Sequence, residues 1–131
     1  MAGRRLVVGI ALALVTAVSA GARAAESDQC TVGGKYHVRS VGRYTTYVDA
    51  GYTSYTQFQG AELFVPAQPG LTSEWLQRVL SDQVATGACD FGVRNAKVSV
   101  LSAGEGFSVR ISGQNEKDAG VILHHAELLA R

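Results

Sequence analysis

Apolar and polar positions follow three rhythms along this chain. Between Leu6 and Ala20 apolar residues succeed one another without a charge. From Lys35 to Ile111 several short stretches alternate apolar and polar positions. Within Leu71 to Gly87, and again within Asn115 to Arg131, apolar residues return at helical spacing. Alternation marks a strand with one buried face, and a return every three or four residues marks an amphipathic helix.

The alternating stretches predict strands. Lys35 to Val41 (KYHVRSV) sets Tyr36, Val38 and Ser40 on one side and His37, Arg39 and Val41 on the other. Arg43 to Phe58 (RYTTYVDAGYTSYTQF) holds four of the five tyrosines in a near-repeat, Tyr44-Thr-Thr-Tyr47 and Tyr52-Thr-Ser-Tyr55. Asp49-Ala50-Gly51 between them is turn chemistry, and Tyr and Thr favour strands, so the stretch predicts a β-hairpin. In strands Tyr44 and Tyr47 point to opposite faces, as do Tyr52 and Tyr55. One face is then expected against a helix, with two tyrosines and several threonines exposed on the other. Two copies of an eight-residue period are too few and too short for a solenoid. Gln59 to Ala67 predicts a further short strand around Leu63-Phe64-Val65, ended by Pro66 and Pro69-Gly70. Lys97 to Leu101 and Phe107 to Ile111, around Ala103-Gly-Glu-Gly106, predict a second hairpin.

The helical stretches carry their own ends. Thr72 can cap the first helix, Glu74 sits in its first turn, Leu71 can staple to Leu76, and Gly87 stops it. Trp75, Leu76, Val79, Leu80 and Val84 form its apolar stripe. Asn115 can cap the second helix, with Ala119, Ile122, Leu123, Ala126 and Leu129 as its stripe. The order predicts an α+β two-layer sandwich, an antiparallel sheet with both helices on one face. Its core is βαββα, a ferredoxin-like variant in which an early strand fills the place of the missing final one.

The uncharged run changes the picture of the N-terminus. Arg4-Arg5, then Leu6 to Ala20, then Ala22-Arg23-Ala24 is the pattern of a secretory signal peptide. Residues 1–24 are therefore expected to be removed, with Val18-Ser19-Ala20 as an alternative cleavage site. Residues 25–34 would form an N-terminal arm, and residues 35–131 one domain. The run is shorter than the roughly 20 residues that span a bilayer, and no later run approaches that length. A twin-arginine leader fits the flanks of Arg4-Arg5 poorly, and Glu-Ser-Asp-Gln before Cys30 does not fit lipidation. The periplasm is the expected destination, with the extracellular medium as the alternative. Three of the twelve Lys and Arg fall in the leader, leaving nine against eleven acidic residues, a formal charge of −2. That balance lacks the basic stripe that nucleic-acid binding needs.

Cys30 and Cys89 both lie beyond the leader. An even count in an exported chain, with no CxxC spacing, predicts a disulfide. The bridge would pin the N-terminus to the loop after the first helix.

Two resemblances follow from quoted residues. Pro69-Gly-Leu-Thr-Ser-Glu-Trp-Leu-Gln77 resembles a helix entry in small exported bacterial proteins, which implies no particular activity. More loosely, a helix, Lys97 to Leu101, Phe107-Ser-Val-Arg-Ile-Ser-Gly113 and a second helix are similar in rhythm to BON domains, envelope modules linked to phospholipid binding. That resemblance implies an envelope-binding role and carries over no site residue.

Candidate chemistry is sparse. His124 and His125 are adjacent on the second helix and point about 100° apart, so they cannot form the i, i+4 grip on one ion. A copper or zinc site would need a third group, His37, Asp118 or Glu127. No Ser lies in a G-x-S-x-G elbow, and the carboxylates Glu74, Asp90 and Glu105 are isolated. Gly104-Glu-Gly106 leads into a strand and matches no phosphate loop. The expected reading is a small, non-catalytic, exported binding or structural module with no cofactor. Tyr44, Tyr47, Tyr52 and Tyr55 are its candidate surface for a protein, glycan or lipid. The alternatives are a lipid or small-molecule binder using a cleft between sheet and helices, a copper or zinc handler through His124 and His125, and an unrecognised hydrolase.

Overall fold

A computed structural model describes residues 30–131 of the chain. The expected leader and residues 25–29 of the arm lie outside the described residues. The elements are β1 (Ser40–Asp49), β2 (Ser54–Pro66), α1 (Ser73–Thr86), β3 (Lys97–Ala103), β4 (Gly106–Ser112) and α2 (Glu116–Leu129). All pairings between these strands are antiparallel and their order is β1-β2-β4-β3. This is the expected α+β two-layer sandwich. β1 takes the edge beside β2, the place a closing strand would occupy in a ferredoxin-like sheet.

Local chemistry explains the helices. Thr72 is extended (φ −121°, ψ 156°) and its hydroxyl accepts from the Trp75 N–H, closing the N-terminus of α1. Gly87 ends it at φ 90°, a left-handed conformation that suits glycine. Asn115 caps α2 by accepting from the Asp118 N–H at 2.8 Å. Leu76 and Leu80 of α1 and Ala119, Ile122 and Ala126 of α2 are buried. Against them lie Ala61, Leu63 and Val65 of β2 and Phe107, Val109 and Ile111 of β4. Each fully buried Leu, Ile or Val contributes roughly 1.5–3 kcal/mol. That makes the sheet–helix layer the main source of stability, and these side chains fill it.

The start of the domain departs from expectation. Only the end of Lys35 to Val41 is strand, because β1 begins at Ser40. Instead the Gly33 N–H donates to the Tyr36 carbonyl and the Tyr36 N–H to the Thr31 carbonyl, with Gly33 at φ 83°. This tight turn sinks Val32, fully buried, into the core and stands Tyr36 edge-on to Trp75, with centroids 6.2 Å apart. The described part of the arm is thus a plug in the core. Cys30 and Cys89 are joined as expected, with Cα atoms 4.7 Å apart.

The two strands expected at Tyr52 to Phe58 and at Gln59 to Ala67 are one strand, β2. A bulge joins them: Tyr44 pairs with Gly60 and Thr45 with Phe58, so Gln59 is skipped. Glycine is required there, because a Cβ at position 60 would lie 1.9 Å from the Ile111 carbonyl oxygen.

Candidate functional site

With both helices on one side, the other face of the sheet has no cover among the described residues. Period-two alternation and the register place Ser40, Gly42 and Tyr44 of β1, Glu62 and Phe64 of β2, Ser108 and Arg110 of β4 and Leu101 of β3 on it. All of these except Tyr44, with Val41, Ser102 and Ala103, shape a shallow groove of about 390 Å³. Ser108 forms its floor and is only 7% exposed, shaded by larger neighbours. Glu62 organises the polar part. One of its oxygens, Oε2, accepts from the Ser108 hydroxyl and from Arg110 Nε, both at 2.8 Å. The bond from Arg110, then that from Ser108, holds the Glu62 carboxyl below its usual range, and the same pairing raises Arg110. The guanidinium of Arg110 also lies 5.2 Å from the Tyr44 ring centroid, and that of Arg39 5.9 Å from Phe64. The groove therefore offers the Phe64 ring, Leu101 and serine hydroxyls around an ion pair whose charges cancel, with the Arg39 guanidinium beside Phe64.

The tyrosine hairpin continues this face outward. β4 pairs with β2 only from Gly60 to Pro66, so Thr45 to Phe58 forms a two-stranded ribbon beyond the four-stranded sheet. Asp49 shapes its tip by accepting from the Gly51 N–H, while the Ala50 N–H donates to the Thr53 carbonyl. Register puts Tyr55, opposite Val48, on the same face as Tyr44. Tyr47, opposite Thr56, is on the reverse face. Tyr52 is not in a strand; it stands fully exposed in the tip. The expected helix against one face of the hairpin does not reach this ribbon. None of its residues is buried, and Tyr47 is 69% and Tyr55 53% exposed.

Other candidates are placed apart. His124 is exposed, while His125 is half-buried over Gly92, where a Cβ would lie 2.6 Å from His125 Nε2. The two rings stand edge-on, with centroids 6.0 Å apart. Among the described residues no three His, Cys, Asp or Glu side chains gather as metal ligands would, so His37, Asp118 and Glu127 do not complete a site. A second groove, about 580 Å³, lies at the end of α1 beside Cys89, Phe91 and Arg94. Neither groove lies in the layer between sheet and helices, where the alternative lipid or small-molecule reading put a cleft.

Sequence reasoning missed the groove residues Glu62, Phe64, Ser108 and Arg110. The signal was there: in β2 and β4 the positions between the core residues are Glu62, Phe64, Ser108 and Arg110, opposite charges and an aromatic where a plain solvent face needs neither. No protein-family model, curated protein or solved structure matches this chain.

Proposed function

We propose that the protein is a small exported, non-catalytic binding module that holds a neutral saccharide on the open face of its sheet. The observation that carries this reading is the groove around Ser108, with the Phe64 ring, Leu101 and serine hydroxyls set about a charge-neutral ion pair and the Tyr44 ring beside Arg110. A sugar ring has apolar C–H faces and hydroxyl edges, and aromatic rings beside fixed polar groups complement both. An anionic lipid headgroup would call for unbalanced positive charge. Here Glu62 cancels Arg110, and Arg39 over Phe64 is a single cation beside the groove rather than a basic cluster. The same pairing speaks against catalysis by Glu62: a carboxylate held ionised by two hydrogen bonds is a poor general acid at neutral pH. Export is supported by the leader pattern and the Cys30–Cys89 bridge. No described helix is long and apolar enough to cross a membrane.

The test is a backbone-amide NMR titration with neutral oligosaccharides of hexose and N-acetylhexosamine units, alongside anionic phospholipid vesicles. Shifts confined to Phe64, Leu101, Ser108 and Arg110 on adding a saccharide, abolished by Phe64→Ala, are the expected result. No saccharide shifts at millimolar concentration, or binding to vesicles alone, would overturn the reading.

A further inference from the structure

A sheet that ends in open edges invites added strands, and this sheet treats its two edges differently. β3 is guarded. The Gln77 side chain of α1 lies along it, its Nε2 donating to the Val98 carbonyl and its Oε1 accepting from the Val100 N–H, both at 2.7 Å. One side-chain amide thus stands in for a peptide group of a further strand. Among the described residues β1 has no such guard. It runs for ten residues, SVGRYTTYVD, without proline or lysine; its charges are Arg43 and Asp49, and the bulge beside Tyr44 and Thr45 lies in β2 rather than on the free edge. Its outer half belongs to the ribbon, and a two-stranded ribbon alone is marginally stable in water.

We infer that β1 pairs antiparallel with β1 of a second copy, in the register that sets Arg43 opposite Asp49. These are the two charged residues of the strand. With a two-fold axis through Thr46, each Arg43 meets the other copy's Asp49. In the same register Tyr44 faces Val48, Thr45 faces Tyr47, and Thr46 faces Thr46. Opposite charges, aromatic against β-branched residues, and threonine against threonine are the stabilising kinds of cross-strand pair. A two-fold axis perpendicular to a sheet keeps each face on its own side, so paired positions must share a face; all of these do, because their spacings are even. The neighbouring two-fold registers with even spacing set Arg43 against Tyr47 or leave it beyond the paired segment. The self-complementary charges would also resist foreign strands lacking the same spacing. The pairing turns two marginal ribbons into one four-stranded ribbon and brings Tyr44 and Tyr55 of both copies onto one continuous open face. The inference stands on the edge alone and does not depend on what that face binds.

The experiment is sedimentation velocity on the full chain as processed by its host, across a concentration series. The wild-type protein is expected to shift from monomer towards dimer as concentration rises. Arg43→Asp sets acidic residues against each other and Asp49→Arg sets basic ones, and each variant should dimerise at least about tenfold more weakly. The exchange variant Arg43→Asp/Asp49→Arg should recover the dimer. The two single variants, mixed, should form a heterodimer. The acidic replacement in one copy then meets the basic replacement in the other, and the native Arg43 meets the native Asp49. That recovery separates pairing from mere damage to the hairpin. A wild type that stays monomeric throughout, a dimer indifferent to both charge changes, or single variants that fail to combine on mixing would overturn the proposal.

Discussion

Gln77→Ala removes the guard on β3 and has a calculable cost. The wild-type side chain makes two 2.7 Å bonds to the strand and donates also to the Ser81 hydroxyl at 3.0 Å. A hydrogen bond contributes about 0.5–1.5 kcal/mol net, so losing both strand bonds costs about 1–3 kcal/mol. Two effects pull toward the lower half of that range. Water can reach part of an edge strand, and alanine is a better helix former than glutamine by a few tenths of a kcal/mol. The expected loss is about 1.5 kcal/mol, or roughly 6–12 °C in melting temperature for a domain of this size. Chemical denaturation followed by circular dichroism measures it. Gln77→Glu sharpens the test. An ionised carboxylate still accepts from Val100 but faces the Val98 carbonyl without a proton to donate, whereas a protonated carboxyl restores both bonds. The native state therefore favours the protonated form and raises the carboxyl pKa, so stability is gained below the unfolded value and lost as pH rises through the folded one. Gln77→Glu should match Gln77→Ala at neutral pH and approach wild type in acid. Equal losses for the two variants at every pH, or a loss under about 0.5 kcal/mol for Gln77→Ala, would refute the guard.

Three further outcomes are expected. Replacing Cys30 and Cys89 by serine opens a loop with a sequence separation of 59; the chain-entropy cost is at most about 4 kcal/mol, read as a lowered melting temperature, and an unchanged melt would contradict it. Glu62 has its pKa lowered by Arg110 and Ser108, so its contribution is present above the ordinary carboxylate value of 4.5 and fades as pH falls through the lower folded value. Both side chains are more than a third exposed, 36% and 40%, so solvent screening limits the pair to under about 1 kcal/mol, and Glu62→Gln should change neutral-pH stability by no more than that and flatten the acid limb of a pH–stability curve. Gly60→Ala forces a Cβ to within 1.9 Å of the Ile111 carbonyl oxygen and should cost about 2 kcal/mol or more, detectable by denaturant titration, whereas Gly42→Ala meets nothing within 4 Å and should leave packing unaffected.

Where one periodicity and one pair of end signals agreed, the sequence was enough. Thr72 and Gly87 bracket α1 as their chemistry requires, Asn115 opens α2, and the alternation in Lys97 to Leu101 and Phe107 to Ile111 yields the β3–β4 hairpin. Where two local signals competed, long-range contacts decided. KYHVRSV alternates as a strand should, yet the disulfide at Cys30 and the burial of Val32 turn the chain back on itself before β1 begins. The sequence divides Tyr52 to Phe58 from Gln59 to Ala67, but Gly60, beneath the close Ile111 carbonyl, lets one long strand pass through a bulge.

The site was harder to read because its meaning lies in registers between strands distant in sequence. Glu62 and Arg110 are 48 residues apart, and nothing local says that they will lie side by side. The tyrosines were conspicuous in sequence, yet their parity alone could not say that β4 ends at Ser112, opposite Gly60, and leaves them on a free ribbon. Once that register is known, the two features join. The open face begins at the groove over Ser108, passes through Tyr44 beside Arg110, and continues to Val48 and Tyr55 on the ribbon. Among the described residues the ribbon reaches past its own sheet, with a side-chain guard on the β3 edge and none on the β1 edge. The contrast between Gln77 on β3 and a charge-matched β1 without such a side chain among the described residues is what the proposed pairing along β1 would use.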